Sequence, residues 1–268
     1  MPARTHYISD RMLPDAIRSA CDKRGITVTS FSDDWILKLQ KDQQEEWIHV
    51  YSFSCNNAAA AANASDKVAT SVILESAALP IVPHVTARTY ISRARRTPDI
   101  KAIANNGPVV IKPIHGHGAQ DVARYDDIDE ALTFINASSI PAWAISPFLD
   151  LTKELRIILF DDEPLLAYEK TNPVIDDGLR LFNLSQGATA VTVDLNSLDP
   201  AILDLAKRAI STIGLRLAAV DIVFDKESEP FILEINTGFS LEHYARQSAD
   251  NKKRAYKIYD SVIGKIFK

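Results

Sequence analysis

The chain has 268 residues, of which 46% are hydrophobic and 24% are charged, and its formal net charge is −5. These proportions are typical of a globular protein with a substantial core, and the length exceeds that of one average domain. An acidic balance without a basic arm argues against a nucleic-acid-binding surface, so no nucleic-acid partner is expected.

The apolar segments and the cysteines indicate the cellular compartment. The sequence shows no signal-peptide pattern and no run of the roughly 18 apolar residues that a membrane span needs. We therefore expect a cytoplasmic protein that does not bind membranes. Its two cysteines, Cys21 and Cys55, are far apart and lack the spacing of a zinc or redox motif, so we interpret them as reduced structural thiols.

Periodicity predicts a small N-terminal α/β domain over residues 1–81. Apolar residues recur at helical spacing from Leu13, Gly25 supplies a stop, and Asp66 is placed to cap a helix that begins at Lys67. The predicted elements of this domain are helices over 13–23, 58–62 and 67–77 and strands over 6–8, 26–28 and 47–53.

Two further lobes are predicted, over residues 82–150 and 151–268. In both, short apolar strands alternate with helical segments and turns, which favours a mixed α/β (α+β) fold. For the first lobe we predict helices near 90–96 and over 126–135, strands over 108–112 and 143–145, and a turn over 113–118. For the second we predict strands over 155–160, 165–168, 219–224 and 230–236, a loop over 172–178, a helix over 200–213 and a terminal helix from 241.

The most informative segment is the predicted hairpin of strands 219–224 and 230–236. Each apolar run carries polar side chains where a core strand would have hydrocarbon: Asp221 in the first, Glu234 and Asn236 in the second. A buried carboxylate is costly unless it is paired or bound to metal. Oxygen donors suit a hard cation, so these three residues are candidate ligands for Mg²⁺.

A second candidate site lies where strand 108–112 ends at Lys112. The lysine leads into a turn with Gly116 and Gly118, where backbone N–H groups can approach phosphate oxygens closely. The segment has neither a Walker motif nor a three-glycine dinucleotide fingerprint. On its own, the pattern leaves phosphate binding and a plain structural turn both open.

The order of several short motifs resembles the ATP-grasp superfamily, specifically the branch of the ribosomal-protein-S6-modifying enzymes and the D-alanine–D-alanine ligases. The motifs are, in chain order, Asp66-Lys67, Lys112 before glycines, the apolar edge 145–149, Glu154-Leu155-Arg156, Asp221 and Glu234-x-Asn236. The resemblance covers about residues 56–245. It implies an ATP-grasp fold in which lobes 82–150 and 151–268 clamp ATP, together with a small N-terminal α/β domain over 1–81.

The resemblance also implies roles for individual residues. Those that would bind the nucleotide are Lys67, Lys112, Gly116, His117, Gly118, Pro147, Leu149 and Glu154. Those that would act in catalysis are Lys112, Arg156, Arg180 and Asn183. Those that would bind metal are Asp221, Glu234 and Asn236. The implied cofactors are ATP and Mg²⁺, with Mn²⁺ as an alternative and two metal ions at the site.

The sequence departs from that branch at three places. Ser146-Pro147 stands where the branch commonly has Gln-Glu or Glu-Lys, Gln186 replaces a frequent basic residue, and Thr237-Gly238 begins a segment that is often Ser-Pro-Gly. Pro147 lacks an N–H but keeps the carbonyl that would face the adenine edge.

The function that the resemblance implies is an ATP-dependent carboxylate–amine ligase. It would form an amide or peptide bond through an acylphosphate and release ADP and phosphate. The substrates would be small amino acids or peptides, and homodimers are common in this branch. Two alternatives stay open: a phosphotransferase on the same scaffold, and an ATP-binding module without turnover.

Overall fold

The protein is described by a computed structural model over residues 10–91, 93–105, 107–116, 118 and 120–268. The strand predicted at 6–8 lies outside these residues. The helices are α1 (Leu13–Asp22), α2 (Ala58–Ser65), α3 (Lys67–Ser76), α4 (Arg93–Ala104), α5 (Ile128–Ala137), α6 (Pro200–Ile213), α7 (Glu242–Arg246) and α8 (Ala249–Ile266). The strands are β1 (Thr27–Phe31), β2 (Ile36–Lys41), β3 (Gln44–His49), β4 (Ser52–Phe53), β5 (Val85–Arg88), β6 (Val109–Pro113), β7 (Ala123–Tyr125), β8 (Ala142–Pro147), β9 (Lys153–Phe160), β10 (Glu163–Thr171), β11 (Val174–Asp176), β12 (Leu179–Leu181), β13 (Thr189–Val193), β14 (Leu217–Phe224) and β15 (Pro230–Asn236). This mixture of helices and sheets confirms the predicted α/β (α+β) class.

The chain forms two compact units. One consists of the residues up to 55 together with 238–268, and the other of residues 56–237. The lobe boundaries predicted after residues 81 and 150 both fall inside the second unit, and the division into three lobes stays a prediction. Residues 238–268, predicted to end the last lobe, instead belong to the same unit as the N-terminal segment.

A buried carboxylate explains why the C-terminal residues join the N-terminal helix. Glu242 is 1% exposed and accepts hydrogen bonds from the backbone nitrogens of Met12, at 2.9 Å, and Leu13, at 3.2 Å. Nitrogens at the start of a helix lack partners within it, and the helix dipole favours an anion there. The single terminal helix predicted from 241 is in fact two, because extended Ser248 caps α8 through the backbone nitrogen of Asn251.

The sheet of the first unit is an antiparallel meander in the order β1-β2-β3-β4. Leu37, Leu39 and Ile48 are buried on one of its faces. The single strand predicted over 47–53 is two strands, since Val50 has a φ of +58° and turns the chain. Strand β2 was not predicted, because its closely spaced apolar residues fit a helix as well as a strand.

The smaller sheet of the second unit has the order β5-β8-β6-β7, with every pair antiparallel. Helices α4 and α5 contact it, and Ile111, Trp143 and Ile145 belong to the buried core on that side. Side chains alternate between the two faces of a strand, so Lys112 and Ser146 point to the opposite face. Both are nevertheless buried.

The larger sheet of the second unit has the order β13-β10-β9-β14-β15 and is antiparallel throughout. Its apolar face packs with helices α2, α3 and α6 in one core that includes Leu155, Ile157 and Val220. By alternation, Glu154 and Arg156 project from the other face.

A β-bulge in β15 sets the direction of the acidic side chains. Asp221 pairs with Glu234, whereas the next residue, Ile222, pairs with Ile232, which leaves Leu233 as the extra residue. Such a bulge re-aims side chains without ending the pairing. Here it keeps Ile232 in the apolar core while Glu234 lies in the row of Asp221.

Two other predicted elements, a helix and a loop, have different outcomes. Helix 200–213 is confirmed as α6, with Asp199 as its N-cap. The loop predicted over 172–178 contains strand β11, which forms a hairpin with β12. Within the described residues, no helix combines the length and the hydropathy that crossing a bilayer requires.

Candidate active site

The polar face of the larger sheet carries charged residues in register. Arg156 on β9 lies opposite Asp221 on β14, which in turn lies opposite Glu234 on the edge strand β15. In the neighbouring row, Glu154 on β9 lies opposite Lys170 on β10. The predicted acidic hairpin is therefore confirmed as β14 and β15, and it lies beside a strand that carries both an acid and a base.

These side chains form a buried charge network. Asp221 is fully buried and accepts from Arg156 Nε at 2.6 Å on Oδ1, and from Arg156 Nη2 at 2.5 Å on Oδ2. Lys170 Nζ donates to the same Oδ2 at 3.2 Å and also to Glu154 Oε1. Two acids and two bases thus compensate one another where neither sign could remain alone.

The pKa values reflect this pairing. Burial would raise the pKa of Asp221, but Arg156 and Lys170 outweigh it and hold that pKa well below its usual range. Burial raises the pKa of Glu154 to about 7, against the pull of Lys170. Asp221 is therefore firmly ionised, and Glu154 is the acid of the network that can take up a proton near neutral pH.

Glu234 and Asn236 are the predicted metal ligands that remain most accessible. Asn236 Nδ2 donates to Glu234 Oε1 at 3.0 Å, and the Glu234 side chain is 32% exposed. A carboxylate and an amide oxygen side by side on an edge strand fit a hard divalent cation. Asp221 lies in the same row, but Arg156 and Lys170 occupy its oxygens.

The three-residue metal site of Asp221, Glu234 and Asn236 stays a prediction. Among the described residues, no group of three or more His, Cys, Asp and Glu side chains has a geometry that could hold a metal ion. The residues present fit the cation through Glu234 and Asn236, and the ligand role of Asp221 stays a prediction.

The two predicted phosphate lysines lie close to this sheet. Lys67 begins α3, whose N-cap is Asp66, and its Nζ donates to the carbonyl oxygens of Ile114 at 3.1 Å and Gly116 at 2.8 Å. Asp66 is a helix cap, as its hydrogen bonds to two backbone nitrogens show. The structure therefore brings Lys67 to the glycine-containing turn.

Lys112 lies at the end of β6 and is 9% exposed. Burial lowers its pKa to about 8, and Glu234 opposes that shift. Burial also lowers the pKa of Lys67, and Glu234 again opposes it. Both lysines thus lie within the electrostatic reach of the same carboxylate.

The glycine turn contacts the segment that contains Asn183, a predicted catalytic residue, and Gln186. Gln186 Nε2 donates to the carbonyl oxygen of Gly118 at 3.0 Å, and Asn183 Nδ2 lies 3.7 Å from the position that a Cβ on Gly118 would take. Asn183 Oδ1 accepts from the backbone nitrogen and the hydroxyl of Ser185, both at 2.9 Å. His117, predicted to bind nucleotide, lies outside the described residues.

The apolar edge 145–149, whose Pro147 carbonyl is predicted to face adenine and which we call the hinge, begins within strand β8. Pro147 is the last residue of the strand and pairs with Val109, and the backbone nitrogen of Phe148 donates to the carbonyl oxygen of Pro108 at 2.8 Å. Leu149 comes directly after this anchored residue. The segment is therefore fixed at its start, and its roles in adenine binding stay predictions.

Arg180 is placed differently from the other predicted catalytic residues. It lies on β12, where Nη1 donates to Asp150 and to the carbonyl oxygen of Leu151, the latter at 2.7 Å. Asp150 also pairs with Lys226 at 2.8 Å. These contacts hold Arg180 beside the 148–152 segment and not in the charge network around Asp221.

By resemblance, Lys170 stands where the family often has arginine, but the sequence did not predict that it bridges Glu154 and Asp221. A lysine two residues after Tyr168 in an apolar strand was a weak signal, because it could equally end a surface strand. His84 was also missed. It is 4% exposed, and its pKa is lowered by burial and by the charges of Lys112 and Lys67.

The two antiparallel sheets of the second unit, with Lys67 and Lys112 near the glycine-containing turn, agree with the ATP-grasp class of ligases that the sequence comparison shows. A family model described as "Prokaryotic glutathione synthetase, ATP-grasp domain" matches residues 77–238. The chain belongs to this family. The predicted superfamily and enzyme class are thereby confirmed.

Individual relatives agree with that assignment. The chain is 25% identical over 214 residues to a protein named "Probable alpha-L-glutamate ligase" from Legionella pneumophila (strain Corby), covering 78% of this chain and 67% of that protein. It is 28% identical over 229 residues to "Glutathione synthetase" from Rhodopseudomonas palustris, covering 82% and 66%. The chain thus spans about two thirds of the length of these relatives.

Among solved structures, the fold is similar to that of D-alanine–D-alanine ligase from Bacillus anthracis in complex with ATP. The TM-score is 0.59, the sequence identity is 16%, and the match covers 79% of this chain and 69% of the other. At this identity the likeness shows the fold alone.

Proposed function

We propose that this chain binds ATP through Lys67, Lys112 and the glycine turn, and uses it to join a carboxylate to an amine. The observation that carries the proposal is that buried Lys112 and partly buried Lys67 both lie near Glu234, with Lys67 hydrogen bonded to the glycine turn. Two ammonium groups held in a partly dry site suit a highly charged anion such as a triphosphate. Family membership identifies that anion as ATP.

The first chemical step brings two anions together. A carboxylate oxygen of the substrate attacks the γ-phosphorus, the bond to the β-phosphate oxygen breaks, and ADP leaves with the electron pair. The product is an acylphosphate. Because charge repulsion is the main obstacle, Lys67, Lys112 and Arg156 contribute chiefly by neutralising phosphate charge and by positioning.

Arg156 is held ready for this role by Asp221. The carboxylate uses Nε and Nη2 of the guanidinium, which fixes the plane of the group and leaves Nη1 outside the pair. A planar guanidinium with a fixed orientation can direct its remaining donors at a phosphoryl oxygen. Lys170 and Glu154 in turn fix Asp221 and thereby support the arginine.

In the second step the amine nitrogen attacks the acyl carbon, the bond from that carbon to the phosphate oxygen breaks, and the amine loses a proton. Glu154, whose pKa burial raises to about 7, is the acid of the network that can exchange a proton in this range. Mg²⁺ bound by Glu234 and Asn236 would supply further neutralisation of the phosphate charge.

The substrates follow from the class of the relatives. Those relatives are named for the ligation of glutamate and for the synthesis of glutathione, so we propose an amino acid or a short peptide as both the carboxylate and the amine. Gln186 and Asn183, which lie beside Gly118, are the side chains placed to contact it. A cytoplasmic setting, a homodimer and Mg²⁺ in preference to Mn²⁺ belong to the same proposal.

The test is a screen of amino acids and short peptides for stimulated ADP release from Mg-ATP, followed by mass measurement of the product. A ligase gives the joined substrates less one water, and phosphate release depends on the amine. A phosphorylated product that needs no amine would favour a phosphotransferase. Nucleotide binding without ADP under any mixture would indicate a module without turnover.

The metal assignment has its own variant pair. Glu234→Ala should lower turnover by orders of magnitude through loss of the cation, whereas Glu229→Ala, in the exposed turn of the same hairpin, should leave turnover unchanged. Full ATP consumption by Glu234→Ala would show that Glu234 does not bind the metal.

A further inference from the structure

His84 is a buried polar residue that directly precedes strand β5. It is 4% exposed, and neither Nδ1 nor Nε2 has a hydrogen-bond partner among the described residues. The Val82 carbonyl is near enough to influence the pKa of the ring, but it does not form a hydrogen bond of normal geometry. The backbone nitrogen of His84, by contrast, donates to Ser71 Oγ at 3.0 Å.

A second unpartnered group lies two residues away on the same strand face. Thr86 on β5 has a buried Oγ1 without a partner among the residues that the structure describes. Thr86 pairs with Ala144 on β8, and Ala144 pairs on its other side with Lys112 on β6. By alternation, His84 and Thr86 therefore share the sheet face of Lys112, away from the apolar core of Ile111 and Trp143.

Three unpartnered polar atoms on one face are unusual in a folded protein. Buried polar groups nearly always have a partner, and those that lack one have lost their water without compensation. A neutral imidazole offers one donor and one acceptor, and a threonine hydroxyl offers both. Burial and the two neighbouring lysines keep the imidazole of His84 neutral by lowering its pKa.

The strand register places His84 on the side of the predicted hinge. It directly precedes Val85, which pairs with Ile145, and continuation of this register sets it opposite Ser146, next to Pro147. Thr86 and Lys112 lie together one row further from the hinge. Neutral donors and acceptors on the hinge side suit the uncharged base and sugar of a nucleotide better than its phosphates, which the lysines would bind.

We propose that His84 and Thr86 are nucleotide-binding residues that hydrogen bond to the adenosine part of bound ATP. This rests on the proposed ATP binding at Lys67 and Lys112. Their unpartnered state is then the state of the protein before nucleotide binds, and the nucleotide completes their hydrogen bonds.

The proposal is tested with side chains that keep the shape and lose the polar atoms. Thr86→Val and His84→Leu should each weaken ADP binding by about five- to tenfold, as calorimetry measures it, because each removes a hydrogen bond made only in the complex. Thr86→Ser and His84→Gln, which keep hydrogen-bonding groups, should bind within about twofold of the parent protein.

Thermal unfolding separates a nucleotide-binding role from a purely structural one, because a structural role predicts that the free variant melts at a lower temperature than the parent. Without nucleotide, Thr86→Val should melt at the same or a higher temperature than the parent, because it removes an unsatisfied buried hydroxyl. With saturating ADP, its stabilisation by ligand should be smaller than that of the parent. A lower melting temperature of the free variant with unchanged ADP affinity would overturn the proposal.

A third measurement locates the contact within the nucleotide. Adenosine, which carries no phosphate, should shift the imidazole nitrogen resonances of His84 as ADP does. Shifts with tripolyphosphate alone would place His84 at the phosphates and contradict the adenosine assignment. If the parent protein binds no ADP, the proposed ATP-dependent function is wrong. If the parent and all four variants bind ADP equally well, only the roles of His84 and Thr86 are wrong.

Discussion

Arg156 and Asp221 face each other across β9 and β14, and the guanidinium holds the carboxylate through Nε at 2.6 Å and Nη2 at 2.5 Å. Asp221 is completely buried, and the Arg156 side chain is 16% exposed. Because a pair of this kind is costly to separate, it ties the two central strands of the larger sheet together. It also joins a predicted catalytic residue to a predicted metal ligand.

The first prediction concerns this pair. Arg156→Met should reduce the free energy of unfolding by about 3 to 5 kcal/mol, because it leaves Asp221 buried without its principal partner. Urea denaturation measures the loss. Arg216→Met is the matched control, since its pair with Asp161 is about half exposed and should contribute at most about 1 kcal/mol. Equal losses in the two variants would contradict the buried network.

The same pair shows what the sequence could and could not reveal. The residue types at Arg156, Asp221 and Glu234 were visible, and their strands were predicted close to their observed bounds. Their pairing could not be predicted, because Arg156 and Asp221 are 65 positions apart and the sequence of a strand does not identify its neighbour in the sheet. The sequence therefore predicted Asp221 as a metal ligand but did not reveal that its oxygens contact a guanidinium and an ammonium group.

Local signals predicted local structure well. The cap at Asp66 and helix α6 follow from nearest-neighbour chemistry, namely a side-chain oxygen at the first turn and apolar residues at helical spacing. The union of residues 238–268 with the N-terminal segment depends on Glu242 reaching α1 across the chain. No short-range pattern contains that information.

The second prediction tests the cap that Glu242 provides. Glu242→Ala should lower the free energy of unfolding by about 2 kcal/mol, because the backbone nitrogens of Met12 and Leu13 lose a charged acceptor in a buried position. Glu75→Ala, on an exposed helical position, should change it by less than about 0.5 kcal/mol. Chemical denaturation of both variants distinguishes a cap from a general loss of negative charge.

The third prediction is a pH dependence of stability. Burial raises the pKa of Glu154 in the folded protein to about 7, above its value of 4.5 in the unfolded chain. The folded state then binds more protons than the unfolded state between these values, so this group's contribution to stability falls as pH rises from about 4.5 to 7. The total change is at most about 3 kcal/mol.

Glu154→Gln isolates that contribution. The amide does not titrate, so the difference in unfolding free energy between the variant and the parent should change across this pH range and level off above it. Denaturant titrations at several pH values provide the comparison. A constant difference from pH 4 to pH 8 would show that Lys170 keeps Glu154 ionised throughout.

The fourth prediction concerns nucleotide affinity. Burial lowers the pKa of Lys112 to about 8, so its ammonium group loses its proton as the pH rises through this value. An anionic nucleotide binds the protonated form, and the affinity for ADP should therefore fall as pH rises above about 8, approaching tenfold per pH unit. Lys112→Arg keeps the charge at every pH, since guanidinium does not deprotonate in this range, and should remove this dependence even if the affinity at pH 7 is lower.

Calorimetric titrations of ADP between pH 7 and pH 9.5 measure both proteins. Lys153→Arg is the control that should follow the parent, because Lys153 is half-exposed and paired with Glu169. The same slope in Lys112→Arg and the parent would assign the loss of affinity to a different group and remove Lys112 from the phosphate site.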